Sequence, residues 1–301
     1  MKTNLFLIND RSGAVSAMGA KKCIQELSQT VNGPVHIEVA SGDPSRLVET
    51  AISAAASGDV GNVYMAGGDG TCAAVAGALA DSGITLIPLP GGTMNAFSRD
   101  LGYSADLCEA IEQIPAGKPR HIDIAFVNEH PFLNNVVFGA YTTVAESREH
   151  LREADGVGEV LDSLVEIAGS ITHAEANRYK VTIDGVVERV LTNTLMVSNN
   201  LYDGADEWRP TRTQLNQGQL GCYLAKSKTA IDFLTVLMDA VTGKMTDSGL
   251  MDMHPCLTCT VESASKILEI SIDGEAKELP SPVTLTIRPR ALRVLAPASA
   301  P

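Results

Sequence analysis

The sequence predicts a parallel α/β domain followed by a mainly antiparallel β domain. Three observations carry this. In the first third, short apolar runs alternate with helical patterns, the rhythm of parallel strands with helices on the sheet faces. After about residue 120 the rhythm becomes period-two alternation, with Asp184–Gly185 and Asp273–Gly274 as hairpin-type turns. Two glycine-rich stretches, Gly67–Gly68–Asp69–Gly70–Thr71 and Pro90–Gly91–Gly92–Thr93–Met94–Asn95, each end a predicted strand. The boundary falls near 125, giving an α/β domain over 1–125 and a β domain over 126–288. No repeat, low-complexity stretch or linker separates them.

Element by element, Asn4–Asn9 reads as a buried strand, followed by a helical pattern through Lys21–Ser28. Val35–Val39 is a second strand. Asp43 and Pro44 then supply a helix N-cap and a proline at the first helical position. Leu47, Val48, Ala51, Ile52 and Ala55 form that helix's apolar face. Asn62–Ala66 is a third strand, with Ala73–Leu79 the helix after its glycines. Ile84–Leu89 is a fourth, and a helix capped by Ser104 carries Leu107, Ala110, Ile111 and Ile114.

Further on, His121–Asn128, Arg178–Ile183, Thr192–Ser198, Gly221–Ala225, Cys256–Glu262, Ile267–Ile272 and Val283–Arg288 read as strands. Helices are expected at Glu159–Ala168 and at Thr229–Val241, the second closed by Gly243. Its apolar positions, Ile231, Leu234, Leu237, Met238 and Val241, make a core-facing stripe. Glu146–Asp162 is strongly charged and reads as a solvated segment.

Composition narrows the function classes. A formal net charge of −13 argues against a nucleic-acid partner, which needs a basic footprint. It also supplies no polybasic signal for anionic membrane, so a chain of this charge would touch a bilayer only through a local patch. No apolar run has the length of a spanning helix, and the first residues lack a signal-peptide pattern. Six scattered cysteines in 301 residues read as reduced thiols of a cytoplasmic protein.

The chemistry is concentrated in the glycine loops. Glycines let backbone approach a phosphate, and amides at a helix start favour anionic charge. Asp69 would repel phosphate, so it is useful there only as a metal ligand or a proton acceptor. On its own such a loop can also be no more than a tight strand–helix connection. The second loop, Pro88 to Asn95, changes the weighing, because both fall at the carboxyl ends of successive strands, where open α/β sheets bind ligands. Neither is a Walker A loop, for no Lys-Ser/Thr pair follows the glycines.

GGDGT followed some 20 residues later by a P-x-GT-x-N loop resembles the diacylglycerol kinase catalytic-domain family, which includes bacterial lipid kinases and sphingosine kinases. Asn9–Asp10–Arg11–Ser12–Gly13 resembles that family's nucleotide loop, with Asp10 where proline is usual. His121–Ile122–Asp123–Ile124 and Ile272–Asp273–Gly274–Glu275 match two further motifs, so the resemblance covers nearly the whole chain.

The resemblance implies a nucleotide-binding α/β domain beside a β-sandwich lipid-binding domain, an active site in the cleft, and a C-terminal tail, 289–301, returning to the first domain. It implies ATP as co-substrate with Mg²⁺, a lipid substrate such as diacylglycerol, peripheral contact at the inner membrane surface, and homodimerisation. It marks Asp69, Asp123 and Glu275 as catalytic, Asp69 and Asp123 as Mg²⁺ ligands, and Asn9, Ser12, Gly67, Gly68, Gly70, Thr71, Gly92, Thr93 and Asn95 as nucleotide contacts. Read alone, Asp123 would be a solvent-facing strand residue and Glu275 an ordinary charged turn residue.

The chain departs from the family in places. Ala73–Ala74 stands where a small polar pair is usual. Leu215–Asn216–Gln217–Gly218 stands where relatives carry L-D-D-G around a structural Mg²⁺, and neutral amides suit a hard cation poorly, so no structural metal is expected there. Asn200–Leu201–Tyr202–Asp203–Gly204–Ala205–Asp206 is more acidic than the family's glycine-rich segment.

Other readings weigh less. His173–Ala174–Glu175 with Pro255–Cys256–Leu257–Thr258–Cys259 spells a zinc deaminase signature, but about 80 residues apart and beside strands. An NAD kinase-like enzyme shares GGDGT and differs in its second loop. A non-catalytic nucleotide-binding pseudokinase would fit the altered loops, and the three carboxylates argue against it.

Overall fold

The computed structural model describes residues 2–139, 177–192, 194–206, 209–226, 232, 235, 236, 239 and 248–298. The predicted helix Glu159–Ala168, the charged stretch Glu146–Asp162 and His173–Ala174–Glu175 lie outside the described residues. Two compact units are present, one of Met1–Ile124, His130–Asn134 and Arg288–Pro301, the other of Ala125–Glu129 and Asn135–Ile287.

The first unit is built on parallel strands β1 (Thr3–Asn9), β2 (Val35–Ala40), β3 (Val60–Gly67) and β4 (Thr85–Pro90), ordered β2-β1-β3-β4. Leu5, Phe6, Leu7 and Ile8 are all buried, so β1 shows the continuous apolar run of a strand covered on both faces. Helices α1 (Gly13–Met18), α2 (Ala20–Thr30), α3 (Ser45–Ser57), α4 (Asp69–Leu79), α5 (Ala96–Asp100) and α6 (Leu107–Gln113) connect or flank these strands. The helix expected through Lys21–Ser28 is α2, and the short helix α1 precedes it, the two parted at Gly19, whose φ of 86° no helix interior accommodates.

Capping shows where local chemistry and sequence expectation diverge. Asp43 accepts from both the amide and the hydroxyl of Ser45, at 2.9 and 2.7 Å, and these bonds hold its carboxyl below the usual range. At α6 the cap is Asp106, not Ser104. Asp106 accepts from the Glu109 amide at 3.0 Å, while Ser104 supports it from one step back by accepting from the Asp106 amide.

Helix α4 begins at Asp69, four residues earlier than expected, and is buried along Cys72, Ala73, Val75, Ala76 and Leu79. A Cβ on Gly77 would lie 2.5 Å from Pro131, so α4 meets β6 (His130–Phe132) with no room to spare. Ala73, where a polar residue is usual, is buried in the same helix.

The second unit is antiparallel. One sheet runs in the order β14 (Met251–Cys256), β13 (Leu220–Ala225), β10 (Thr194–Asn199), β7 (Asn135–Gly139), β16 (Ile267–Ile272), β17 (Glu275–Pro280). The other pairs β15 (Thr258–Ser263) with β8 (Asn177–Ile183), and β8 with β9 (Val186–Thr192). Phe138 of β7 meets Tyr179 of β8 edge-on at 6.3 Å, and Cys222 lies 3.9 Å from Cys259, so the two layers share one core.

Several expected strands change here. Cys256–Glu262 is two strands, broken at Leu257, whose amide donates to the Asp184 carboxylate at 2.9 Å. Thr192–Ser198 likewise splits, Thr192 ending β9 and Thr194–Ser198 lying in β10. The last strand, β18 (Val283–Ala296), extends well past Arg288. Its first part pairs antiparallel with β15, and Arg293 and Val294 pair parallel with Thr85 and Leu86 of β4. Of the predicted helix Thr229–Val241, the described residues Asp232, Thr235, Val236 and Asp239 are helical. Buried Val236, which is not one of the predicted stripe residues, packs with Tyr223, Ala225 and Met251. Among the described residues no helix is long and apolar enough to cross a membrane.

Five of the cysteines are buried and Cys108 is exposed. Burial pushes the Cys23 thiol up to about 11 and that of Cys256 to about 12, and the Cys259 contact followed by burial pushes Cys222 upward as well. Protonated and enclosed thiols are poor nucleophiles. Iodoacetamide at neutral pH should therefore label native protein at Cys108 alone, and all six cysteines after denaturation, as read by peptide mass spectrometry.

Candidate functional site

In the first unit, strand ends and helix starts gather three loops. β3 finishes at Gly67, Gly68 is extended, and α4 opens on Asp69, so Asp69, Gly70 and Thr71 form the helix's first turn. The Cys72 amide donates to the Gly68 carbonyl at 3.0 Å, the bond that closes this turn. Amides of a first turn have no intrahelical acceptor and carry the positive end of the helix dipole. Half-buried Asp69 is the acidic residue of this turn.

The second loop presses on the first. The Gly91 amide donates to the Gly67 carbonyl at 3.2 Å. A Cβ on Gly91 would lie 2.4 Å from the Gly67 nitrogen, and one on Gly92 would lie 2.6 Å from the Gly68 Cα. Asn95, in the left-handed region at φ 50°, holds the loop's shape with a reciprocal pair: its Oδ1 accepts from the Gly92 amide at 2.8 Å and its Nδ2 donates to the Gly92 carbonyl at 2.9 Å. The Phe97 amide reaches the Asp69 Oδ1 at 3.4 Å. Thr93 is exposed.

The third loop leaves β1. Asn9 Oδ1 accepts from the Arg11 amide at 3.2 Å, and its carbonyl accepts from the Ser12 hydroxyl at 2.7 Å. The Ala14 amide donates to the Gly91 carbonyl at 2.9 Å, joining this loop to the second. A Cβ on Gly67 would lie 3.5 Å from that of Asn9 and 3.8 Å from that of Thr71. Asp10, where proline was usual, accepts from the Ser41 hydroxyl at 2.6 Å and ties the loop to the end of β2. Asn9, Ser12, Gly67, Gly68, Asp69, Gly70, Thr71, Gly92, Thr93 and Asn95 thus lie in three loops at the carboxyl ends of β1, β3 and β4. Gly91 joins them, and the PGG run already marked it.

The other two carboxylates belong to other elements. Asp123, on β5 (Lys118–Val127), is fully buried, which corrects the solvent-facing alternative. Its Oδ1 accepts from the Arg290 amide at 2.8 Å, at a point where β18 passes through φ 54°. Glu275, in the second unit, is exposed and opens β17 directly after Asp273 and Gly274, at φ 48° and 93°. Asp273 fixes this turn, its Oδ1 accepting from the Asn135 amide at 3.0 Å.

The segment matching the family's structural metal loop is held by other means. Gln217 Oε1 accepts from the Leu201 amide at 3.0 Å. The fully buried guanidinium of Arg212 donates to the Asn199 carbonyl at 2.8 Å and lies 5.8 Å from the centre of the Tyr202 ring. An amide and a buried cation suit a divalent ion poorly.

Comparison with known proteins agrees with this geometry. Residues 3–127 match the family description "Diacylglycerol kinase catalytic domain", and residues 135–296 match "YegS C-terminal NAD kinase beta sandwich-like domain". A Staphylococcus haemolyticus protein whose name assigns it provisionally to the lipid kinases is 27% identical over 244 residues, 79% of this chain and 77% of its own. A Klebsiella pneumoniae protein named "Probable lipid kinase YegS-like" is 34% identical over 128 residues, 40% of this chain and 42% of its own. A Bacillus anthracis crystal structure, provisionally described as a diacylglycerol kinase, superposes with a TM-score of 0.79 at 21% identity, covering 100% of this chain and 97% of that one, which shows the fold.

Two outcomes follow from this geometry. Gly91→Ala forces backbone apart and should lower stability by roughly 1–3 kcal/mol in urea unfolding, whereas Gly13→Ala, with nothing within 4 Å of its Cβ, should be neutral or slightly stabilising. The thermal midpoint should be the same in EDTA as in Mg²⁺, while Gln217→Ala, which orphans the Leu201 amide, should cost about 1 kcal/mol.

Proposed function

The chain belongs to the family that joins a diacylglycerol kinase catalytic domain to a YegS-type C-terminal domain, and on that premise we propose that it is an ATP-dependent lipid kinase. It moves the γ-phosphoryl group of ATP to a hydroxyl of a lipid such as diacylglycerol. The observation that supports this most is that Asp69 is the acidic residue of the first turn of α4, where three glycine-bearing loops meet.

Phosphoryl transfer asks little covalent work of a protein; positioning and charge stabilisation dominate. In this reading the amides of the α4 first turn and of Gly91 to Thr93 oppose phosphate charge. Asn9, Ser12 and Asn95 keep their loops in shape through the bonds described above. The acceptor oxygen bonds to the γ-phosphorus as the bond to the β-phosphate oxygen breaks, and ADP leaves with that electron pair. The hydroxyl proton passes to Asp69, with Glu275 the other carboxylate proposed for this role.

Mg²⁺ takes one or two carboxylates and draws its other ligands from phosphate and water. Among the described residues no three His, Cys, Asp or Glu side chains cluster as a protein cage, and half-buried Asp69 fits the single-carboxylate arrangement, directly or through water. When bound, the ion neutralises phosphate oxygens. Asp123 fits less well as a direct ligand, since it is enclosed and already holds the Arg290 amide.

The test is transfer of labelled γ-phosphate from ATP to a panel of lipid hydroxyls in mixed micelles. Asp69→Asn should lower transfer by about 10²–10⁴-fold, the usual span for a lost general base, while ATP affinity changes little. Transfer to NAD and to no lipid would move the chain to the NAD kinase reading. ATP binding with no transfer at all would make it a nucleotide sensor.

A further inference from the structure

We infer that the β8–β9 hairpin of the second unit is the surface through which this protein docks on an anionic lipid membrane, an inference that rests on the lipid kinase reading. The strand register sorts the side chains. Arg178 pairs with Leu191, Lys180 with Arg189 and Thr182 with Val187, and on the other side Glu262 of β15 pairs with Lys180. Side chains alternate across a sheet, so these share one face. The intervening residues Tyr179, Val181 and Ile183 point the other way and are buried.

Among the described residues that face carries three cations, Arg178, Lys180 and Arg189, against one carboxylate, Glu262, in a chain whose formal net charge is −13. Glu262 is itself engaged, 2.8 Å from Lys180. The same residues, with Leu191, line a groove of about 420 Å³. Among the described residues β9 has no strand on its outer side.

At the tip the surface turns apolar. Val186, Val187 and Leu257 are 64%, 52% and 58% exposed, and Leu191 on the face itself is 62% exposed. The tip carboxylate, Asp184, is spent on the adjoining turn, accepting from the Leu257 and Thr258 amides at 2.9 and 2.8 Å. Exposed aliphatic residues at a rigid turn, with cations behind them, match the order of layers in a bilayer surface: acyl chains, then phosphate. A protein partner would also cover aliphatic groups, but the reversal of charge favours an anionic surface.

The experiment is co-sedimentation of the full-length protein, without ATP, with vesicles of phosphatidylglycerol mixed with phosphatidylcholine, and with vesicles of phosphatidylcholine alone. Wild type should bind the anionic vesicles, release on raising salt, and leave the neutral ones largely unbound. Each cation reversed should weaken binding at least about fivefold, and Arg178→Glu, Lys180→Glu and Arg189→Glu together on the order of a hundredfold. Val186→Ser with Val187→Ser should weaken binding while leaving its salt dependence intact.

Replacing both arginines with lysine should preserve binding, and an unchanged urea midpoint for the glutamate variant shows that it folds. Wild type that ignores anionic vesicles, or a folded glutamate variant that binds them as well as wild type, would overturn the inference. So would ultracentrifugation showing a wild-type dimer that the glutamate variant loses, which would give the face to a second copy of the chain. Transfer to a short-chain acceptor in detergent is scored separately. Vesicle binding without transfer would sink the kinase reading alone, and transfer without vesicle binding would sink only the docking surface.

Discussion

The backbone of Gly91 and Gly92 rests against the backbone of Gly67 and Gly68, and the candidate site depends on that contact. It exists because β3 and β4 are parallel neighbours with Gly67 in register with Pro90, so both chains leave the sheet at the same level. Side chains there would wedge the loops apart, since Cβ atoms on Gly91 and Gly92 would meet backbone at 2.4 and 2.6 Å. With the loops closed, the Gly91 carbonyl is placed to accept from Ala14, and Asn95 can clamp Gly92 from both sides. Three strand ends thereby become one surface of backbone amides, and Asp69 is positioned on it by the helix that starts there.

Much of this was legible in the sequence, because it is written in local chemistry. Glycines mark close approach, and continuous apolar runs such as Leu5 to Ile8 mark strands buried on both faces. Asp273–Gly274 marks a turn with both residues at positive φ. What stayed hidden was decided by partners far away in the chain. Asp123 reads as an ordinary strand residue until Arg290, 167 positions later, donates its amide to it. Leu257 gives no sign of ending a strand, yet the Asp184 carboxylate, 73 residues before it, captures its amide and breaks the ladder there. The start of α4 was misjudged for a different reason. Glycine is a poor helix former, so Asp69 and Gly70 look like loop, while the burial of Cys72 to Leu79 repays that cost.

The departures from the family pattern also have local causes. Ala73 is buried in α4, a position where an alanine needs no hydrogen-bond partner. Asp10 replaces the rigidity of a proline with a hydrogen bond to Ser41. In the second unit Arg212 and Gln217 bond the backbone at Asn199 and Leu201. A guanidinium is more weakly hydrated than an aqueous divalent ion, so it loses less on burial, and its fixed fork holds the loop in one geometry. The acidic residue that follows, Asp203, is likewise committed, accepting from the Thr213 amide at 2.8 Å.

A net charge of −13 and an anionic surface as partner are compatible once screening is considered. At physiological ionic strength the Debye length is about 8 Å, so a membrane senses the charges of the face presented to it and little of the rest. The surplus of carboxylates then acts on solubility and on the long-range orientation of approach, turning the cationic hairpin toward the surface in preference to the acidic faces. On the proposed docking surface, three cations and a few aliphatic side chains fall well short of a stable anchor, so contact of that kind is weak. For an enzyme whose acceptor is spread through a bilayer while its nucleotide is dissolved in water, weak and oriented contact is the useful kind. Under the proposed function, it would return the glycine loops to solution between turnovers.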